Sequence, residues 1–387
     1  MLEEFLTPLK LETIINRDTL SNDQLGNCFR LHETIAPDLM DTDIAIIGVN
    51  DDRGSLKNRG SAQAPDKIRK YLYQLFRGHS HMRIADLGNL ERGATLRDTY
   101  VALSKIVTEI LHNKVVPIII GGGHDLTYGH YGGYQEMGKM INVSVIDNMI
   151  DIRENEDEIN SDNYLINLLT HQPNYLFNYS QIGYQTHFTS ELTIETLDKL
   201  HFDLYRLGKV RDNIKDMEPI MRDTDMLSFD MSAIRYSDAP GNLNATPNGI
   251  SGEEACQIAR YAGLSDKLSS FGLYEVNPLH DIREQTQQLA AQMIWYFIDG
   301  FYNRKKIIPK DADQDFTKYI VHFRDNSYEM VFWKSLRNDM WWMEVPSGSK
   351  SKRPNKKHLI PCSYEDYQNA CKEELPERWL KTYEKLS

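Results

Sequence analysis

Val115-Val116-Pro117-Ile118-Ile119-Ile120-Gly121-Gly122-Gly123-His124-Asp125 is an apolar run that stops on three glycines, a histidine and an acid. Six apolar or β-branched residues bounded by glycine read as a buried strand. The glycines then turn the chain, and His124 stands at the strand's carboxyl end. Working outward, the same alternation recurs. Asp43–Asn50, Met82–Gly88, Asn142–Asp147, Gln181–Gln185, Met226–Asp230 and Ser269–Val276 read as further strands. Between them lie helix patterns over Asp66–Phe76, Leu96–Asn113, Gly252–Gly263 and Arg283–Tyr302. In Leu96–Asn113 the apolar Leu103, Ile106, Val107, Ile110 and Leu111 mark one helix face. Strands alternating with helices predict an α/β fold, a mostly parallel sheet covered on both faces. In such sheets ligands bind beyond the carboxyl ends of the strands.

The three segments that carry chemistry sit at those ends. Gly121–Asp125 follows one strand, Asp147-Asn148-Met149-Ile150-Asp151 another, and Ser228-Phe229-Asp230-Met231-Ser232 closes a third. Alone, each aspartate reads equally as a helix cap after a strand, and His124 as a turn histidine. Together, His124, Asp147, Asp151 and Asp230 supply one imidazole and three carboxylates. That donor set suits a hard or borderline divalent cation and favours Mn²⁺ over soft metals.

The chain has 387 residues and a net charge of −12. Residues 310–387 carry 14 basic and 13 acidic side chains, so the acidic excess lies wholly in the first 309 residues. Such a surface repels phosphate backbones and argues against nucleic acid as a partner. No stretch approaches the roughly 20 apolar residues of a membrane span, and MLEEFLTPLKLE lacks the features of a signal peptide. Four cysteines without metal-type spacing fit a reducing cytoplasm. Residues 1–40 read as a helical N-terminal extension and 41–309 as the α/β domain. Residues 310–387 read as a β-plus-helix appendage, with Thr317–Phe323 and Tyr328–Lys334 paired around a turn at 324–327. Met340–Val345 adds a strand, a basic loop follows through His358, and Ser363 caps a helix over Tyr364–Glu374. Trp333, Trp341 and Trp342 are expected to pack the appendage on the core, or to form an interface for a protein partner or self-association.

At this point the sequence resembles the ureohydrolase family of arginase, agmatinase and formimidoylglutamase. The resemblance covers roughly residues 43–303. It rests on Asn58–Arg69, Asp86–Asn89, the strand Gly272-Leu273-Tyr274-Glu275-Val276-Asn277-Pro278, and the segment GGGHDLTYGH from Gly121 to His130. The last looks most like the formimidoylglutamase branch. The resemblance implies a three-layer α/β/α arginase-like fold and a pair of Mn²⁺ ions that activate water against an amidino or formimino carbon. It implies that His124, Asp147, Asp151 and Asp230 serve one ion, with Asp147 and Asp230 bridging to the second, and that Asp147 and Asp230 are catalytic if the site is active. Glu275 matches the acid that grips the substrate's cationic amidine and Asn163 falls in the substrate loop. The other reading of Glu275 is a carboxylate paired with a neighbouring arginine.

Two positions depart from the family pattern. Met149 stands where D-x-H-x-D needs histidine, and Ser232 where D-x-D needs its second aspartate. Both losses fall on the second ion. The expectation is therefore at most one Mn²⁺ per chain, down to none, with Arg153 as a cation that would pair the carboxylates of an empty site. Hydrolysis is expected to be lost or reduced, leaving a binding or scaffold role. The alternative is an active Mn-dependent amidine or formimino C–N hydrolase with a one-ion or rearranged site, acting on a small amidine or formimino compound. His171 and His187 are weak candidates for an acid/base group.

Overall fold

The apolar runs become strands because each is buried on both faces, where a continuous Val/Ile/Leu pattern is favoured over alternation. The computed structural model describes residues 2–153, 158–309, 314–323, 328–347 and 357–387. Ten strands build the main sheet: β1 (Leu6–Thr7), β2 (Arg30–Leu31), β3 (Ile44–Asn50), β4 (Ile84–Glu91), β5 (Val116–Ile120), β6 (Ile141–Ile146), β7 (Leu176–Tyr184), β8 (Asp203–Arg206), β9 (Met226–Asp230) and β10 (Ser270–Tyr274). The order along the sheet is β1-β4-β3-β5-β10-β9-β6-β7-β8, with β2 also on β4. From β4 to β8 every pairing is parallel, and β1 alone runs antiparallel.

Helices cover both faces. Ala64–Leu72, Gly252–Leu264 and Gln285–Tyr302 bury Ile68, Leu72, Ile258, Ala262, Ile294 and Phe297 with Ile44, Ile46, Ile118 and Ile120 on one side. Leu96–His112 buries Leu103, Ile106 and Ile110 against Ala45, Ile47 and Ile119 on the other. Leu126–Glu136 and Tyr164–Thr170 continue that layer over β6 and β7. The odd and even residues of one strand thus feed different layers, as the pleat requires. The result is the expected three-layer α/β/α architecture.

Residues 1–40 are not the helical extension expected. They form short turns, the four-residue helices Leu11–Ile14 and Leu25–Cys28, and the strands β1 and β2 that extend the sheet beyond β4. Four residues give one turn, too little for an autonomous helix, so pairing to β4 decides their conformation. The edge strand β8 was also not expected: its four residues pass directly into the helix Leu207–Asp212 and leave no periodic trace.

A separate antiparallel sheet follows: β11 (Phe316–Phe323), β12 (Tyr328–Ser335), β13 (Trp341–Pro346) and β14 (Lys357–Cys362), in that order. The turn at 324–327 and the basic residues Lys350, Lys352, Arg353 and Lys356 lie outside the described residues. Lys357 and His358 belong to β14 rather than to a loop. Trp333 lies opposite Trp342 and shares a buried face with Val331. Trp341, Phe332 and Met343 occupy the other face, with Trp379 of the last helix, Glu377–Leu386. Ser363 caps Tyr364–Cys371 with a reciprocal bond to Asp366. The Arg222 guanidinium sits 4.3 Å from the Trp342 ring and donates to Trp341 O at 3.0 Å, and Lys381 reaches Phe202 O at 2.8 Å. The tryptophans therefore pack the appendage internally and onto the core.

Candidate metal centre

The four central neighbours β5, β10, β9 and β6 end side by side. Their carboxyl ends deliver His124, Glu275, Asp230 and Asp147 to one place, and Asp151 arrives on the loop after β6. The glycines before His124 follow from crowding. A Cβ on Gly122 would stand 1.9 Å from Asp51 O, so no larger residue fits where this turn crosses the loop after β3.

His124 is fully buried. Its Nδ1 lies 3.1 Å from Asp147 Oδ2, 3.2 Å from Asp151 Oδ2 and 3.3 Å from Asp230 Oδ2. Neither His124 Nδ1 nor Asp151 Oδ2 has a properly aligned hydrogen bond. Four donor atoms therefore converge without satisfying one another. Donors on adjacent corners of an octahedral ion site with bonds of about 2.1 Å lie roughly 3.0 Å apart, close to these separations. His124, Asp147 and Asp151 form a metal-competent group by distance alone. The second nitrogen of the ring is positioned for the same purpose. Nε2 lies 3.0 Å from Ser228 Oγ, which in turn bonds Thr127 Oγ1 at 2.7 Å. A ligand imidazole is ordinarily oriented through its other ring nitrogen in this way. The Tyr164 ring packs edge-on to His124 at 4.9 Å.

The electrostatics are those of crowded acid. Burial opposes a charge on His124, yet the close carboxylates of Asp147, Asp151 and Asp230 hold its pKa well above the usual imidazole range. Burial first, and then the charge of Asp147, push Asp151 and Asp230 well above the usual carboxylate range. Arg153 does not neutralise the cluster as expected. It pairs with Asp162 at 2.8 Å on the neighbouring loop.

The second-ion side is different. Ser232 Oγ donates to Asp147 Oδ1 at 2.9 Å, and the Met149 amide approaches the same oxygen at 3.3 Å. The Ser232 amide donates to Asp230 Oδ1 at 2.6 Å, and Asn242 Nδ2 lies 3.3 Å from it. Met149 is half-buried. Two ions do not fit this donor set: a thioether and a hydroxyl replace an imidazole and a carboxylate, and neutral donors hold the oxygens that would be shared. One ion fits the group His124, Asp147 and Asp151, with Asp230 Oδ2 3.3 Å from His124 Nδ1.

Glu275 is fully buried and its partners are neutral donors, not an arginine. Ser55 Oγ and Asn58 Nδ2 both donate to Oε2 at 2.8 Å, and the His124 amide donates to Oε1 at 2.9 Å. Burial raises its pKa against these bonds. Its φ of 66° is left-handed, a strained conformation of the kind that clusters at functional sites. Asn163 spends its side chain on its own loop, accepting from the Asn160 amide at 2.8 Å and donating to Glu158 O at 2.9 Å. His171 and His187 are not brought to the centre. His171 contacts Pro173 O beside an outer groove, and His187 packs at a tilt against Phe188.

Sequence reasoning missed Ser228, Tyr164, Asn242, Ser55 and Asn58. Ser228 was within reach, because two residues before Asp230 on one strand places it on the same face. Tyr164 opens a seven-residue helix and the others come from loops, where no period marks them.

Comparison with known proteins agrees with the fold. The profile described as the arginase family matches residues 42–299. A formimidoylglutamase of Geobacillus sp. is 27% identical over 278 residues, spanning 68% of this chain and 85% of that protein. One from Streptococcus pyogenes is also 27% identical over 278 residues, spanning 66% and 84%. The crystal structure of Trypanosoma cruzi formiminoglutamase with Mn²⁺ superposes with a TM-score of 0.66 at 23% identity, over 73% of this chain and 99% of that one. Bacillus subtilis formimidoylglutamase gives 0.64 at 21% identity, over 75% and 94%.

Proposed function

The chain belongs to the arginase family, and from that premise we propose that it is a formimidoylglutamase-like protein that holds a single divalent cation, of the Mn²⁺ type, with hydrolysis of formimino or amidine C–N bonds lost or much reduced and ligand binding as its remaining role. One observation carries this reading: four ligand atoms converge on the first-ion side while Met149 and Ser232 leave the second side without ligands. His124 Nδ1, Asp147, Asp151 and Asp230 would hold the ion. When bound, such an ion supplies Lewis acidity and offsets the charge of the three carboxylates. Ser228 turns the His124 ring so that Nδ1 faces those carboxylates. Glu275 fixes the His124 backbone, and both its oxygens are engaged before any ligand arrives. The ligand class that suits a cluster of buried carboxylates is a small cationic amidine or formimino compound.

A second reading keeps catalysis on one ion. It is favoured by the completeness of the quartet and by Glu275 at its strand end.

Elemental mass spectrometry after dialysis against excess Mn²⁺, with an assay for formamide, urea or ammonia release, separates the two. One ion per chain and release no faster than the blank support the proposal. One ion with enzyme-like turnover installs the second reading. Two ions, or none, overturn the one-ion centre. At a free Mn²⁺ concentration of 100 times Kd the ion should stabilise the fold by about 2.7 kcal/mol, seen as a raised Tm. Asp147→Asn should abolish that rise.

A further inference from the structure

We propose that Ser232, Asn242 and the backbone amides of residues 149 and 232 form a hydrogen-bond clamp that stands in for the second ion and commits the centre to one. The proposal rests on the one-ion reading above and deepens it. The two aspartates that the family pattern would use as bridges divide their oxygens cleanly. Both Oδ2 atoms face His124 Nδ1. Both Oδ1 atoms face neutral donors: Ser232 Oγ and the Met149 amide on Asp147, the Ser232 amide and Asn242 Nδ2 on Asp230.

Mere erosion of a two-ion site would leave those Oδ1 atoms unpaired in a buried place, which folded proteins avoid. Here they are partnered instead, by groups fixed independently of any ion. Ser232 lies in the 3₁₀ turn Met231–Ala233, for which Asp230 is the N-cap. Asn242 is fully buried, and its Oδ1 accepts from the Asn244 amide at 2.7 Å. A second ion would have to take Asp147 Oδ1 from the Ser232 hydroxyl, a neutral group that offers no carboxylate charge in return. The clamp also acts on the first ion. By holding Oδ1, it sets which oxygen of each aspartate is offered at the centre. Ser232 is therefore a positioning residue, acting through Asp147.

The test is equilibrium dialysis of the full chain with Mn²⁺, read by elemental mass spectrometry and electron paramagnetic resonance. Wild type is compared with Ser232→Ala and with Met149→His/Ser232→Asp. The expected result is that Ser232→Ala still takes one ion but binds it roughly 10- to 100-fold more weakly, the usual effect of losing an outer hydrogen bond to a ligand. The double variant takes one more ion per chain than wild type, and its spectrum shows exchange coupling. The clamp is overturned if Ser232→Ala binds Mn²⁺ as tightly as wild type, or if the double variant gains no ion. Should the double variant not fold, Ser232→Ala decides alone, since it only deletes the donor to Asp147. Two ions in wild type would sink the clamp and the one-ion reading together. No ion in wild type would sink the one-ion reading and, with it, the commitment of the centre to one ion.

Discussion

Two buried charge clusters lie a few strands apart, and they are built on opposite rules. Between the helix Ala64–Leu72 and β4, Arg69 and Asp86 are both fully buried. Arg69 donates to both oxygens of Asp86 at 2.8 Å and to Gly88 O at 3.0 Å, and its remaining donor nitrogen meets Asp66 and Asn89. Tyr73 adds its hydroxyl to Asp86 at 2.9 Å. Charges cancel and every donor is used. At the ends of β5, β6 and β9, three carboxylates face one imidazole, and Nδ1 is left without an aligned bond. The balanced cluster ties the helix Ala64–Leu72 to the sheet. The unbalanced one is a deficit of positive charge that a folded chain alone does not fill. A buried charge is thus informative by whether its partners are complete, not by its burial.

The comparison breaks most visibly at Arg69. Arg69→Met leaves Asp86 charged, buried and unpaired, and should destabilise the chain by about 3–5 kcal/mol. Chemical denaturation of the metal-free protein measures it. Near-wild-type stability would mean that the two clusters do not differ as described.

His130 offers an intermediate case, a buried titratable group with complete neutral partners. Its ring bonds Ser270 Oγ at 2.6 Å and Tyr274 OH at 3.1 Å, and burial pushes its pKa down to about 3. A base whose folded pKa lies below its unfolded value near 6.5 contributes stability that is complete above that value and is lost as pH falls. At pH 5 the unfolded chain protonates His130 and the folded chain does not, a loss of about 2 kcal/mol relative to pH 8. The difference between wild type and His130→Gln, measured at both pH values, isolates this contribution from other acid-sensitive groups. Equal pH slopes for the two chains would remove His130 from the account.

The same contrast explains what the sequence displayed. Continuous apolar runs such as Ile44–Asn50 and Val116–Ile120 announced a buried parallel sheet, because burial on both faces leaves no other pattern. The candidates His124, Asp147, Asp151 and Asp230 were legible because each closes such a run or lies in the segment just after one. β8 and β14 were not, since one is four residues long and the other begins on Lys357-His358 beside a basic stretch. The partners that define the site's state, Asn242 on Asp230 and Asn58 on Glu275, lie 12 and 217 residues away from the groups they hold. No local spacing encodes such pairings. Met149 and Ser232 depart from the family pattern in the sequence, whereas only the structure reveals which donors meet Asp147 and Asp230 there.

The smallest expected effect sharpens the boundary of the unbalanced cluster. Asn163 was expected to touch substrate, but both of its polar ends hold the loop that carries it. That loop bears Asp162, paired with Arg153, and leads into Tyr164 beside the His124 ring. If Asn163 serves the loop, Asn163→Ala should cost about 1–2 kcal/mol, two ordinary hydrogen bonds, and leave the number of bound Mn²⁺ ions unchanged. Denaturant midpoint and ion count report the two separately. A variant of wild-type stability that no longer binds the ion would draw Asn163 into the centre. A stability loss at full ion count places the border between Tyr164, which touches His124, and Asn163, which holds the loop through Asn160 and Glu158.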